Sequence, residues 1–360
     1  MSRRSGTLAT KDLMVRIITS RLVEAMVRPF LPPLLPVFML HQFRNPGNGR
    51  PGHDPQMVSD CLARLKKQGY AFVDLDEALD RFSQSSVNRH KVVSFTLDDG
   101  FLHQVETAHE VFSAHQCPFT CFLITDFMDG KNWPWDAQVS YLLEQSNKES
   151  LVLDTRSGTR DLSLNTSANK QRAGHEIREL MKSSSARHKA ESRAFLSNLA
   201  DKLGVELPAA PPSPYLALGW ERARELEGKG VRFGAHGLTH HILSQLGAEE
   251  AREEIVLSRE KVCQELNNPS DVFCYPVGRE EDFSEREMEL VADSGFKAAV
   301  SAVPGYVTPA AVNSLRFVLP RFTFPAYARD FFQYCSWVEH VKTRFRETLI
   351  YSPHGVGLVK

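Results

Sequence analysis

Short apolar runs, each giving way to a helical pattern, recur along this chain at close spacing, and that rhythm restricts the folds open to it. Residues 36–40, 70–73, 91–97, 118–124, 230–233, 271–274 and 296–300 read as strands. Their runs are apolar at successive positions rather than at alternate ones, as expected of strands buried on both faces. Helical patterns lie between them. One starts at Asp54-Pro55, an N-cap followed by proline at the first helical position, and others cover 103–115, 219–227, 248–266 and 284–294. Strands separated by helical crossovers run parallel. The rhythm breaks over residues 126–215. That block carries Trp133-Pro134-Trp135, a helical pattern at 137–144, hairpin-like alternation over 151–164, a second helical region at 173–203 and a proline-rich connector at 208–214. It is predicted to be an insertion between the two halves of the main domain, 35–125 and 216–330. A late strand is expected at 314–318, ahead of Pro320-Arg321, and 331–360 is left as a C-terminal segment.

Composition narrows the function classes. The chain has 360 residues, of which 42% are hydrophobic and 24% charged, the balance of an ordinary globular protein. A formal net charge of −1 gives no global attraction to nucleic acid. No apolar stretch reaches the roughly 18 residues of a membrane span. Residues 1–34 form a separate extension. Residues 12–27 read as a basic amphipathic helix with Met14, Ile18, Leu22 and Met26 on one side. It is expected to pack on the main domain, or to make peripheral contact with an anionic membrane surface. Its short, charge-broken apolar stretches do not read as a secretory signal. The six cysteines form no CxxC pair, which suits reduced core residues in a reducing compartment. A cytoplasmic protein, or one held at the inner membrane face, is therefore expected.

Two stretches carry chemistry. In Ser94-Phe95-Thr96-Leu97-Asp98-Asp99-Gly100-Phe101 an apolar run ends abruptly in adjacent carboxylates and a glycine. Neighbours on an extended chain point to opposite sides, so one carboxylate is free to bind a cation while the other faces substrate. A helix N-cap is the plainer alternative. In Gly234-Ala235-His236-Gly237-Leu238-Thr239-His240 two histidines stand four apart after another strand. On a helical turn both imidazoles would share one face. In a parallel barrel all strand exits lie on one rim. Two histidines and one carboxylate there make a three-ligand set with an open position, the pattern of a catalytic zinc.

With these residues the chain resembles the polysaccharide deacetylases related to chitin and Nod-factor deacetylases, carbohydrate esterase family 4. The matches are Thr96-Leu97-Asp98-Asp99-Gly100 (family form T-F-D-D-G) and His236-Gly237-Leu238-Thr239-His240 (family form H-[ST]-x-x-H), with weaker ones at residues 273–278 and Leu319-Pro320-Arg321. The resemblance implies an α/β fold, a distorted (β/α) barrel of about seven parallel strands. It implies Asp98 as general base and Asp99, His236 and His240 as ligands of a divalent metal, zinc first, with cobalt, manganese or nickel as alternatives. The metal would acidify a water whose proton Asp98 takes, for attack on an acetamide. By resemblance to the deacetylases of biofilm poly-N-acetylglucosamine, His41 is taken as general acid ahead of His354 in Ser352-Pro353-His354-Gly355. Cys274 and Val277 stand where the family often carries an arginine and a tyrosine, and Arg321 is the candidate to hold Asp98 ionised. An ordinary structural ion pair is its alternative role.

Tyr275, with Pro276 beside it, and the pair Trp133 and Trp135 are candidates to contact sugar, since flat rings suit patches of C–H bonds. The expected partner is an N-acetylated sugar or polysaccharide, and no nucleic acid. Two other readings stay open: a non-catalytic glycan-binding protein on the same fold, and an O-acetyl esterase or other amide hydrolase.

Overall fold

The computed structural model describes residues 26, 33–44, 52–83, 91–155, 158–183 and 189–339. The N-terminal amphipathic helix, apart from Met26, and His354 lie outside these residues. Ten strands are described: β1 (Val37–Leu40), β2 (Ala71–Phe72), β3 (Val92–Leu97), β4 (Thr120–Leu123), β5 (Ser150–Thr155), β6 (Gly158–Ser163), β7 (Arg232–Ala235), β8 (Val272–Cys274), β9 (Ala298–Val300) and β10 (Phe322–Thr323). The main sheet runs β10-β1-β3-β4-β7-β8-β9, with β2 added on β3, and every pairing in it is parallel. Helices fill the crossovers, among them Pro55–Lys67, Leu102–Ser113, Trp220–Glu227, Ala248–Glu265 and Glu285–Asp293.

This is a distorted (β/α) barrel, and one run of chain closes it. Leu319 bridges Val300 of β9, while Phe322 pairs with Phe38 of β1. The chain from Leu319 to Thr323 therefore touches both ends of the strand path. The strand expected at 314–318 is not there. Pro309–Ser314 is a short helix capped by the Thr308 side chain, and the strand that pairs is the two-residue β10 beyond Pro320. Pro320, which cannot donate to a ladder, separates the Leu319 bridge to β9 from the pairing of β10 with β1.

Burial explains the apolar strand runs. All of β1 and β3 is buried, and Phe38 stacks on Phe95 with ring centroids 5.9 Å apart and meets Phe331 at 4.7 Å. Asp54 caps the helix Pro55–Lys67 through its side chain, as its sequence position implies.

Between β4 and β7 the chain leaves the barrel. The helix Trp135–Gln145, the antiparallel hairpin β5–β6 and the helices Ser167–Ser183 and Lys189–Leu203 share their own apolar core, including Leu142, Leu151, Leu162, Ile177 and Leu199. β5 is buried at alternate positions, Leu151 and Leu153, as one face on a core requires. No helix among the described residues is long and apolar enough to cross a membrane. The cysteines described are all free thiols.

Candidate functional site

Parallel strands bring their exits to one rim, and the chemistry-bearing residues sit at those exits. His41 follows β1, Asp98 follows β3, His236 follows β7 and Tyr275 follows β8. Asp98 and Asp99 do not simply face opposite ways. Asp99 has φ of +81°, in the left-handed region, which takes it off the strand's alternation. Both carboxylates come within reach of His236. Gly100 follows with φ of +86°, so the turn away from the strand passes through consecutive left-handed residues.

The histidine pair is also assembled differently from the helical turn its spacing suggests. Residues 236–240 carry no helix. Gly237 at φ +75° and His240 at φ +64° fold the chain back, and the two rings stand 4.9 Å apart, centroid to centroid. Gly237 is required twice over. Its φ disfavours a side chain, and an added Cβ would lie 3.3 Å from both Glu254 Oε2 and Pro276 Cγ. Both features disfavour a side chain here, at the position where the family form has a hydroxyl residue.

Donor atoms converge here. His236 Nε2 lies 3.7 Å from Asp99 Oδ1, and His240 Nε2 lies 3.6 Å from the same oxygen. One ligand atom from each of the three residues fits within 4.8 Å of the others. His236 Nδ1 donates to the Cys274 carbonyl at 2.9 Å, which leaves the Nε2 lone pair facing inward. Burial lowers the pKa of His236 to about 4 and that of His240 to about 3, so both rings are neutral donors at pH 7. Asp99 is pushed well above the carboxylate range, by burial first and then by the nearby charges of Asp136 and Asp98. Two neutral imidazoles and a carboxylate short of positive charge are the donor chemistry of a divalent cation.

Asp98, His236 and Cys274 also come within mutual reach. Their chemistry suits a cation less well. Burial holds the Cys274 thiol protonated, and Arg321 lies against both Asp98 and Cys274.

Arg321 is the structural surprise of the site. By the pairing of Phe322 with Phe38 it starts near the level of Val37, yet its guanidinium reaches the β3 exit. It donates to Asp98 Oδ1 at 2.8 Å and Oδ2 at 2.9 Å, to Thr96 Oγ1 at 3.0 Å and to the Ser301 carbonyl at 2.9 Å. Only 1% of Arg321 is exposed. Burial alone would raise the Asp98 pKa, but the Arg321 charge and hydrogen bonds outweigh it and hold the carboxyl far below its usual range. Cys274, at the place where the family often carries an arginine, instead presents its sulfur to Arg321 Nη2 at 3.1 Å.

His41 Nε2 stands 4.0 Å from Asp98 Oδ2, with half of its side chain in solvent. Its pKa is lowered, chiefly by desolvation among the packed atoms at the rim and further by Arg321, against the pull of Asp98.

The sugar-contact residues need correction. Tyr275 is 1% exposed, stacked on Phe283 at 4.3 Å, and its hydroxyl donates to the Phe317 carbonyl. Trp133 packs edge-on against Tyr141 and Tyr215. Trp135 is buried too, and Pro276 is buried against the Gly237 turn. Tyr275 and Pro276 present no free face to a sugar, while Trp133 and Trp135 are nearly buried and line a separate cavity of about 480 Å³. Trp135 instead donates Nε1–H to the His240 carbonyl at 3.3 Å and so supports the histidine loop.

Sequence reasoning missed Glu254, which is fully buried. Its Oε2 accepts the Leu238 and Thr239 backbone N–H groups at 2.9 and 2.8 Å, and its Oε1 accepts the Thr239 hydroxyl. The available signal was positional: Ala251, Glu254, Ile255, Ser258 and Val262 form the buried face of the helix Ala248–Glu265. Asp136, whose charge acts on Asp99, His240 and His41, was missed as well.

Fold and rim together define a hydrolase-type site on a parallel barrel. A family model described as polysaccharide deacetylase matches residues 85–299, more than half of the chain. The chain belongs to the polysaccharide deacetylase family, hydrolases that act on carbon–nitrogen bonds of acetylated carbohydrates. Solved structures share the fold. The deacetylase PplD of Streptococcus pyogenes, solved with acetate, is 16% identical with a TM-score of 0.55, covering 84% of this chain and 98% of that one. IcaB of Ammonifex degensii is 14% identical with a TM-score of 0.51, over 85% of this chain and 98% of that one. A polysaccharide deacetylase of Bacillus cereus is 14% identical with a TM-score of 0.51, over 84% and 69%. No match was found among curated proteins.

Proposed function

We propose that this chain is a metal-dependent deacetylase that hydrolyses the acetamide of an N-acetylated amino sugar. The observation that carries the reading is the convergence of Asp99, His236 and His240 beside an Asp98 clamped by Arg321. Asp99, His236 and His240 are the residues that would hold the cation, zinc by its preference for nitrogen donors in small sets. Bound there, a divalent cation supplies Lewis acidity to a carbonyl oxygen and acidifies water.

The protein's own groups do the proton work. Asp98 is kept ionised and aimed by Arg321, so it accepts the proton of the attacking water. The same clamp makes Asp98 a weak base, so it parts with that proton readily. His41 lies 4.0 Å from Asp98 Oδ2 and is neutral at pH 7. It can take up a proton there and deliver it to the leaving amine, which would otherwise be expelled as an anion. Acid and base roles thus meet at one carboxylate edge.

The test is metal analysis and acetate release on short N-acetylglucosamine oligomers, wild type beside His236→Ala and Asp98→Asn. The reading expects about one metal per chain, lost in His236→Ala. Asp98→Asn should keep the metal and lose rate by about a thousandfold. Metal-loaded wild type that releases no acetate from any N-acetylated sugar overturns it.

A further inference from the structure

The two histidines of the ligand set are not held alike. His236 donates Nδ1–H to the Cys274 carbonyl, and that bond fixes the tautomer whose Nε2 faces Asp99. His240 offers Nε2 to the same oxygen, but its Nδ1 is buried and has no hydrogen-bond partner among the described residues. A neutral ring that gives Nε2 to a cation carries its proton on Nδ1, and that proton needs an acceptor. His240 is only 6% exposed, so bulk solvent does not supply one.

An acceptor beside the same loop also lacks a partner. Oδ1 of Asp136 is buried and receives no hydrogen bond among the described residues. Buried polar atoms are nearly always satisfied, so an orphaned donor and an orphaned acceptor at one place ask for a common explanation. Asp136 is placed to give it. It stands in the first turn of the helix Trp135–Gln145, and its neighbour Trp135 donates to the His240 backbone carbonyl. The Asp136 charge acts on His240 more strongly than that of Asp98 does, and it acts on Asp99 as well. Thr125 Oγ1 is a rival acceptor: it too is buried without a partner, and the Thr125 backbone N–H donates to the Gly237 carbonyl at 3.2 Å. A hydroxyl carries no charge, however, and hydrogen bonds to an ionised acceptor are the stronger kind.

We infer that Asp136 is the outer carboxylate of the ligand His240, accepting its Nδ1–H when Nε2 holds the cation. The structure does not hold this bond, so bond and cation are linked: each favours the other. The inference rests on the ligand set of Asp99, His236 and His240 proposed above. It adds that the insertion completes a cation site whose ligands all come from the barrel. Asp136 touches no reacting atom and is a positioning residue. It orients the His240 ring, whereas Glu254 holds the backbone before it.

The experiment measures zinc affinity by competition with a chromogenic chelator in wild type, Asp136→Ala, Asp136→Asn and Thr125→Val. Proton–nitrogen NMR of the histidine rings and denaturant melts of the metal-free proteins accompany it. Asp136→Ala should bind zinc about 10- to 100-fold more weakly. Asp136→Asn keeps a carbonyl oxygen to accept Nδ1–H and should recover most of the affinity. In zinc-loaded wild type the His240 Nδ1–H should give a slowly exchanging proton signal that Asp136→Ala loses. Metal-free Asp136→Ala should melt no earlier than wild type, because the substitution removes a buried oxygen without a partner. A residue that merely props the fold would cost stability there instead. Zinc held by Asp136→Ala as tightly as by wild type, a loss as deep in Asp136→Asn as in Asp136→Ala, or a loss confined to Thr125→Val overturns the inference, while zinc binding by wild type leaves the deacetylase reading standing. Wild type that binds no zinc removes the ligand set on which both rest.

Discussion

Arg321 and Asp98 form the most consequential pair of side chains. Both are buried, and the bidentate geometry satisfies both carboxylate oxygens. Such a pair adds little net stability over apolar packing, but breaking it strands a charge. Arg321→Met should therefore destabilise the protein by about 3–5 kcal/mol in urea denaturation, alongside a loss of turnover. Arg321→Lys keeps a positive charge but not the planar fork, and should recover stability better than activity. A melt unchanged in Arg321→Met would mean that Asp98 finds another partner. The histidines give a pH signature. An unfolded histidine titrates at 6.5, whereas His236 and His240 titrate at about 4 and about 3 in the folded metal-free protein. Between those values the unfolded chain binds protons that the folded one refuses, so stability falls as pH drops below 6.5. At pH 5.5 the loss is about 1 kcal/mol for each ring. Asp98, depressed when folded, adds acid sensitivity only near and below 3.8, whereas Asp99, raised well above 3.8 when folded, gains stability as pH falls through the histidines' own window, so the histidine share is read as the difference in slope between wild type and His240→Gln. Denaturant melts of metal-free protein at pH 7 and 5.5 check this, and His240→Gln should lose its share of the slope.

At the scale of elements, the ligand loop is held from two sides. Glu254 on the helix Ala248–Glu265 ties down the backbone of Leu238 and Thr239, and Trp135 on the insertion ties down the His240 carbonyl. The loop needs this, because His240 keeps a left-handed backbone that costs about 1–3 kcal/mol for a residue with a side chain. Glu254→Ala should weaken metal binding by about 10- to 100-fold, read by competition with a chromogenic chelator, although Glu254 touches none of the ligand atoms. Glu254→Gln retains an acceptor for the two N–H groups and should restore most of the affinity. Equal affinity in Glu254→Ala would show that the histidines hold their places unaided. This layer is where the sequence is least readable. Glu254 sits among Glu249, Glu250, Arg252 and Glu253, so its charge looks like one more solvated residue until burial singles it out.

At the scale of the whole molecule, the legible parts were those set by periodicity and by adjacency. Alternating strands and helices pointed to parallel strands, and parallel strands put Asp98, Asp99, His236 and His240 on one rim, as found. What escaped depends on contacts between distant segments. The sheet is closed by a run holding only the two-residue β10, too short to show a period. Tyr275 follows a strand exit and was read as open to substrate, but Phe283, eight residues further on, covers its ring. Asp136 belongs to the insertion and meets the site only through the fold. The same long-range assembly couples the site to global stability. Asp99 and the two histidines come from strand exits far apart in sequence, so the unfolded chain cannot offer them together, and a cation that binds them favours the folded state. At a hundred times its dissociation constant the cation should add about 2.7 kcal/mol. For a chain of this length that is a rise in melting temperature of a few degrees. Thermal melts with a chelator and with added zinc read it directly. Wild type should rise with zinc, Asp98→Asn should rise by a similar amount because Asp98 is not a ligand, and Asp99→Ala should not respond. A zinc response retained in Asp99→Ala would move the ligand set to other residues, with the neighbouring group of Asp98, His236 and Cys274 the first to examine.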